Sequence, residues 1–95
     1  MSKSIIVLDV TQDDLDRGYR KSTFACPIAL ALTRALGSDG RWALNVGSKN
    51  RWTATSPGGI RIGGALPVRT LRFITAWDRD GKGEPQQLKL WLGYP

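Results

Sequence analysis

The sequence contains no histidine and only one cysteine, Cys26, among its 95 residues. Without histidine, the chain cannot use Ser–His or Cys–His pairs to activate a nucleophile, and it lacks every metal site that needs an imidazole. A single cysteine permits neither an internal disulfide nor a thiolate zinc site, in keeping with a reducing compartment. Most classes of enzyme are therefore disfavoured, and we expect a non-enzymatic protein without a cofactor.

Long apolar runs are also lacking. The longest one, from Cys26 to Leu32, is far too short to span a bilayer. The run from Ile5 to Leu8 is similar to the apolar part of a signal sequence, but Asp9 and further aspartates interrupt it before a cleavage site. We therefore expect a cytoplasmic protein with no membrane partner. The length suits a single domain, 1–95, with a modest core.

No aspartate or glutamate occurs between Gly40 and Trp77. The basic residues of this stretch are Arg41, Lys49, Arg51, Arg61, Arg69 and Arg72. Positive and negative charges balance in the first forty residues, so the formal net charge of +6 resides entirely in the rest of the chain. Three of the four tryptophans, Trp42, Trp52 and Trp77, lie in the same stretch. An anionic partner is therefore the first hypothesis to test.

The pattern of apolar residues predicts the order strand, helix, strand, strand, helix, strand. The predicted strands are 4–10, 41–46, 51–55 and 88–92, and the predicted helices are 27–36 and 67–79. Pro27 and Pro67 favour the first turns of the two helices, and Gly37 and Gly81 favour their ends. This order predicts an α+β domain with a mostly antiparallel sheet and both helices on one face.

The register of the hairpin decides where Trp42 and Trp52 point. A loop of two or four residues places them on opposite faces and leaves one exposed for stacking, whereas a three-residue loop places both on one face. The glycines on either side of Ile60–Ile62 predict a loop or lid that holds at most a short strand. They match neither a P-loop nor a dinucleotide-binding pattern.

The start of the first helix is a second candidate site. Its free backbone N–H groups, with Arg20 and Lys21 just upstream, resemble an anion site. If the helix N-terminus stabilises the thiolate of Cys26 at the N-cap, the pKa of this cysteine is depressed. The alternative, which we favour, is that Cys26 is a small buried residue at the helix start. The aspartates between positions 9 and 16 do not have the spacing of a calcium loop, and a capping box at 11–14 accounts for part of them. We expect no metal site.

Two groups of segments carry a resemblance to a known family. Asp14–Gly18 and the run Cys26-Pro27-Ile28-Ala29-Leu30-Ala31-Leu32 resemble a family of small uncharacterised proteins from phages and prophages. Leu66-Pro67, Phe73-Ile74 and Trp77-Asp78 are similar to the second helix of that family. The resemblance implies a short accessory protein inside a host bacterial cell. Small phage proteins of this class often inhibit host antiviral defence, as anti-CRISPR proteins and nucleotide-signal sponges do.

The first functional hypothesis is a non-catalytic protein that binds nucleic acid, a nucleotide or an acidic protein surface. The predicted ligand-binding residues are Arg20, Lys21, Arg41, Lys49, Arg51, Trp52 (or else Trp42), Arg61, Arg69 and Arg72. The alternative is a protein–protein interaction module that uses an apolar surface or a sheet edge, which also allows a homo-oligomer. A third, enzymatic hypothesis depends on Cys26 or the aspartates.

Overall fold

A computed structural model of the chain describes residues 4–37, 42–47 and 50–93. Within these ranges five strands and three helices form an α+β fold, which confirms the predicted fold class. The elements are β1 (Ser4–Val10), α1 (Gln12–Arg17), α2 (Pro27–Leu36), β2 (Ala43–Val46), β3 (Arg51–Thr55), β4 (Arg61–Ala65), α3 (Val68–Asp80) and β5 (Gln86–Leu92). The predicted order agrees with this one except that it lacks α1 and β4.

The described strands form two antiparallel sheets instead of the single sheet that was predicted. Strand β1 pairs with β5 along its whole length, from Ser4 opposite Leu92 to Val10 opposite Gln86. Because side chains alternate between the faces of a strand, one face of this ribbon supplies Leu8 and Leu90 to the core. The second sheet has the order β2-β3-β4.

The two sheets meet where β5 passes β4. The indole N–H of Trp52 donates to the carbonyl of Trp91 at 2.8 Å, and the backbone N–H of Gly93 donates to the carbonyl of Gly63 at 2.9 Å. A Cβ atom on Gly64 would lie 2.0 Å from the Trp91 carbonyl oxygen, so this contact requires glycine. Of the glycines expected to belong to a loop or lid, Gly63 and Gly64 are instead buried in β4, whereas Gly58 and Gly59 lie in the turn before it.

Helix α2 packs against β1 and β2, and helix α3 packs against β5. The expectation that both helices share one face of one sheet is therefore met only roughly, because the strands are divided between two sheets. Helix α3 buries Phe73 and Trp77 at helical spacing, together with Thr70, whose hydroxyl donates to the Lys89 carbonyl at 2.7 Å. These contacts join the second predicted helix to the last strand.

The start of α2 follows the predicted pattern. Cys26 is an extended N-cap residue and Pro27 occupies the first turn, as the X-Pro geometry requires. Upstream, the predicted capping box formed by Thr11 and Asp14 is present and begins the short helix α1. None of the helices in the described part of the chain has the length and apolar character needed to cross a membrane.

Candidate functional site

The hairpin register places both tryptophans on the core side of the sheet. The backbone N–H of Gly47 donates to the Arg51 carbonyl at 2.9 Å, so these two residues pair across the hairpin. Val46 consequently lies opposite Trp52, and Trp42 has the same parity as Val46. Trp52 is 1% exposed and Trp42 is half-buried against the core. The prediction that Trp52 is an exposed stacking residue is therefore wrong.

The opposite face of the β2-β3-β4 sheet is turned away from the core. Because Trp52 and Ala54 point inward, the alternate residues of β3 point outward, and their partners on β2 and β4 share that face. We call this surface the open face; its members are Ala43, Asn45, Arg51, Thr53, Thr55, Arg61, Gly63 and Ala65. It carries no acidic residue, since all three strands lie inside the acid-free stretch.

Two exposed arginines stand at opposite ends of the open face. Arg51 begins β3, whereas Arg61 lies opposite Thr55 at the other end of that strand. The two positions are therefore four residues apart along β3, or about 13 Å at the usual rise of a strand. The hydroxyl of Thr53 and the amide of Asn45 lie midway between them, and Thr55 lies beside Arg61. The remaining basic residues predicted for the hairpin, Arg41 and Lys49, lie outside the described residues.

The predicted arginines of α3 are both exposed. Arg72 points away from the buried pair Phe73 and Trp77, whereas Arg69 lies one turn before Phe73, at the edge of the buried side. The helix begins next to the Arg51 end of the open face, because the N–H of Leu66 donates to the Asn50 carbonyl at 3.1 Å. The structure thus brings the start of α3 close to one end of the open face.

Arg20 has a structural role at the other end of α3. Its guanidinium donates to the Asp78 carbonyl at 3.1 and 3.2 Å and also to the carbonyl of Arg79. The backbone N–H of Lys21 donates to the Asp78 carboxylate at 2.8 Å. These bonds satisfy carbonyl groups that a helix C-terminus leaves without a partner. Arg20 is therefore committed to α3, while the side chain of the predicted residue Lys21 remains exposed.

Cys26 is a buried packing residue. Its thiol is 2% exposed, and its sulfur accepts a hydrogen bond from the Ala29 N–H at 3.5 Å. Burial raises the pKa of the Cys26 thiol, because the charged thiolate is poorly solvated there, and the hydrogen bonds from the helix start do not overcome this effect. The depressed pKa considered for a reactive cysteine is therefore contradicted.

This arrangement predicts an unreactive thiol. We expect native Cys26 to react with a disulfide reagent such as DTNB far more slowly than the same residue in urea-unfolded protein, since only exposed thiolate attacks the reagent. The release of thionitrobenzoate at pH 7 and pH 9 measures both rates. Equal rates in the native and unfolded protein would contradict the buried assignment.

The aspartates near the N-terminus serve the fold. Both oxygens of the Asp14 carboxylate accept from Arg34, at 2.9 and 2.8 Å, and one of them also accepts from the Thr11 N–H. Burial by itself would raise the pKa of Asp14, but these hydrogen bonds outweigh it and the pKa is lowered. Asp13 pairs with Arg17 on the surface. Across the described ranges, no three His, Cys, Asp or Glu side chains are grouped to hold a metal ion.

Two exposed aromatic residues were absent from the predicted site. Tyr19 is 69% exposed and Phe24 is 70% exposed, and both lie in the segment that joins α1 to α2. The predicted stacking residues are tryptophans only. No signal in the sequence distinguishes these two rings from core residues, because their exposure depends on how the segment is anchored to α3.

Comparison of the chain with protein-family models, with curated proteins and with solved structures found no match.

Proposed function

We propose that this chain is a non-catalytic nucleic-acid-binding protein that contacts phosphates through the open face. The observation that carries the proposal is the composition of that face, where Arg51 and Arg61 flank hydroxyl and amide side chains and acidic residues are absent. Arginine, threonine and asparagine are the side chains that contact phosphate and sugar groups in nucleic-acid complexes. The net charge of +6 adds a favourable long-range field.

The same face indicates which kind of contact dominates. Its only large side chains are the two arginines, and the others are alanine, asparagine, threonine and glycine. Such a surface can hold a phosphate backbone but has no aromatic ring on which a base could stack. Binding through phosphate contacts alone would be independent of sequence and would weaken steeply with salt. Arg69 and Arg72 extend the positive charge along α3 beyond the Arg51 end.

The biological setting that we propose follows the resemblance to phage proteins. A small protein that covers nucleic acid, or the guide of a nucleic-acid-guided effector, would act as an inhibitor of host antiviral defence of the anti-CRISPR class. A nucleotide-signal sponge requires an enclosed pocket for one small ligand, whereas the open face is a flat sheet surface. The geometry therefore favours a polymeric anion over a single nucleotide.

The test is a salt titration of affinity for a fluorescent oligonucleotide, measured by anisotropy. We expect the Arg51→Ala/Arg61→Ala variant to bind about a hundredfold more weakly, since each of the two lost hydrogen bonds to a charged group contributes about 1.5 kcal/mol or more. We also expect the slope of log K against log salt to become shallower by about 0.7 for each lost contact with a single strand.

The matched control is Arg17→Ala/Lys89→Ala. It also lowers the net charge by two, from +6 to +4, but the two residues lie on α1 and β5 and neither belongs to the open face. If both double variants lost oligonucleotide affinity equally, the loss would be explained by net charge alone. The open face would then not be the binding surface. Failure of the wild-type protein to bind any oligonucleotide at low salt would refute the proposed function itself.

A protein partner is the second candidate, and the edge of β1 favours it. Arg34 donates to the Asp9 carbonyl, so the odd-numbered residues of β1 turn their backbone groups away from β5. On that edge Ile5 and Val7 are 44% and 49% exposed, and no second strand pairs with β1 among the described residues. An exposed apolar edge can add a strand from another chain. Partner binding that is insensitive to salt and to the arginine variants would favour this function.

A further inference from the structure

The segment from Tyr19 to Ala25, which we call the aromatic loop, exposes two large rings. Tyr19 and Phe24 are the most exposed large apolar side chains in the described part of the chain, at 69% and 70%. A chain of this size has few aromatic residues to form its core, with four Trp, two Tyr and two Phe in all. Two rings held in solvent therefore forgo a favourable burial free energy, which a binding partner would recover.

The aromatic loop is anchored on both sides. The N–H of Tyr19 donates to the Ala25 carbonyl at 2.9 Å and closes the loop, while the Ser22 hydroxyl accepts from the Ala25 N–H at 2.9 Å. On the α3 side, the Trp77 indole donates to the Tyr19 carbonyl at 3.1 Å, and the Arg20 guanidinium donates to the Asp78 carbonyl at the end of the helix. The backbone that carries the rings is therefore preorganised, which reduces the entropy lost on binding.

The aromatic loop also adjoins the open face. The N–H of Val46 donates to the Thr23 carbonyl at 2.7 Å, which places Phe24 beside the outer edge of β2. Val46 in turn pairs with Trp52 on β3, the residue after Arg51. Thr23 is therefore separated from β3 by two strand spacings, or about 10 Å. The loop therefore stands at the Arg51 end of the open face, with the exposed side chain of Lys21 in the same segment.

We propose that the aromatic loop is a base-stacking element and that the ligand is a single-stranded nucleic acid. This inference rests on the proposed function and narrows it. Tyr19 and Phe24 stack on unpaired bases, while the phosphates of the same strand lie on the open face. Bases in a duplex are already stacked and offer no free ring faces, whereas bases of a single strand stack readily on aromatic side chains without regard to sequence.

The test compares an oligothymidylate of about 16 nucleotides, a length at the upper end of single-strand site sizes, with a duplex of equal length. We expect the wild-type protein to prefer the single strand. The Tyr19→Ala/Phe24→Ala variant is expected to lose about tenfold or more in single-strand affinity, since each stacked base contributes a factor of roughly five or greater. Its duplex affinity and the slope of its salt dependence are expected to stay unchanged.

The matched control is Tyr19→Phe, which keeps the ring and removes only the hydroxyl, and it is expected to bind like the wild type. Both rings are exposed, so the alanine variant retains the core, and circular dichroism verifies its fold. Equal loss for single strand and duplex, or no loss for either, would overturn the stacking inference and leave the open face intact.

A comparison of the affinities of the wild-type protein for the two probes is a second test, which needs no variant. Equal affinity for the single strand and the duplex would also overturn the stacking inference. An absence of binding to both probes would instead mark the failure of the proposed function. A protein ligand for the loop would appear as partner capture that the alanine variant abolishes and nuclease treatment leaves unchanged, and that result too would overturn the inference.

Discussion

Replacement of Arg34 by methionine is expected to destabilise the protein by about 2 kcal/mol at pH 7, less than the loss for a fully buried ion pair because the Arg34 side chain is 50% exposed. Arg34 holds the Asp14 carboxylate through two hydrogen bonds at 2.8 and 2.9 Å. It also donates to the Asp9 carbonyl at 2.6 Å, so one side chain connects α2, α1 and β1. The Asp14 side chain is only 3% exposed, so its charge cannot recover full hydration when Arg34 is removed.

The loss is expected to depend on pH in a defined direction. The pKa of Asp14 is lowered in the folded protein, so the pair contributes stability above the pKa of the unfolded chain and loses it as pH falls through the folded pKa. In the Arg34→Met variant the burial remains without the cation, which raises the pKa of Asp14 and favours the neutral acid. The gap between variant and wild type should therefore be largest near pH 7 and shrink below about pH 4.

Urea titrations at pH 7 and pH 3 measure this difference in the free energy of unfolding. The matched control is Arg17→Met, which breaks an ion pair with Asp13 at 3.2 Å whose side chains are 74% and 67% exposed. Exposed pairs contribute about 0.5 kcal/mol or less, so this control should be nearly neutral. If Arg34→Met destabilised no more than Arg17→Met at pH 7, or by the same amount at both pH values, the buried pair would not hold these elements together.

The elements with strong local signals could be predicted from the sequence. The predicted strand 4–10 and helix 27–36 coincide with β1 and α2, because a β-branched run and a Pro-initiated amphipathic helix carry their own signals. Strand β4 carries the opposite signal, since its two adjacent glycines predict a loop. Its pairing with β3 and its approach to Trp91 depend on contacts that are distant in sequence.

The candidate site was predictable in part. The acid-free arginines were identified from charge alone, and Arg51, Arg61, Arg69 and Arg72 are all exposed. The position of Trp52 was not predictable, because one backbone hydrogen bond from Gly47 sets the loop length and with it the parity of the hairpin. The exposure of Tyr19 and Phe24 depends on Arg20 and Trp77 holding the aromatic loop at the end of α3, which no local pattern encodes.

Replacement of Gly64 by alanine is expected to destabilise the protein by about 3 kcal/mol, at the upper end of the range for an overpacked core. The added methyl group would lie 2.0 Å from the Trp91 carbonyl oxygen and 2.8 Å from its carbonyl carbon. Both are backbone atoms of β5, which cannot rotate away as a side chain could. Relief of the clash requires that β5 move away from β4.

That movement would break the contacts that join the two sheets. The Trp91 carbonyl is the acceptor of the Trp52 indole at 2.8 Å, and Trp52 is among the largest fully buried side chains. A displaced carbonyl would leave a buried indole N–H without an acceptor, at a further loss of about 1 kcal/mol or more. The steric and hydrogen-bond effects therefore act in the same direction at this junction.

The matched control is Gly58→Ala, in the turn between β3 and β4. A Cβ atom there would meet only the Ser56 hydroxyl, at 3.8 Å, and Gly58 is exposed. We expect its free energy of unfolding to change by less than about 0.5 kcal/mol in urea, as for surface substitutions away from special features. Equal stability of the Gly64→Ala and Gly58→Ala proteins would mean that β5 does not lie against β4, and that the two sheets are held together by α3 and the shared core alone.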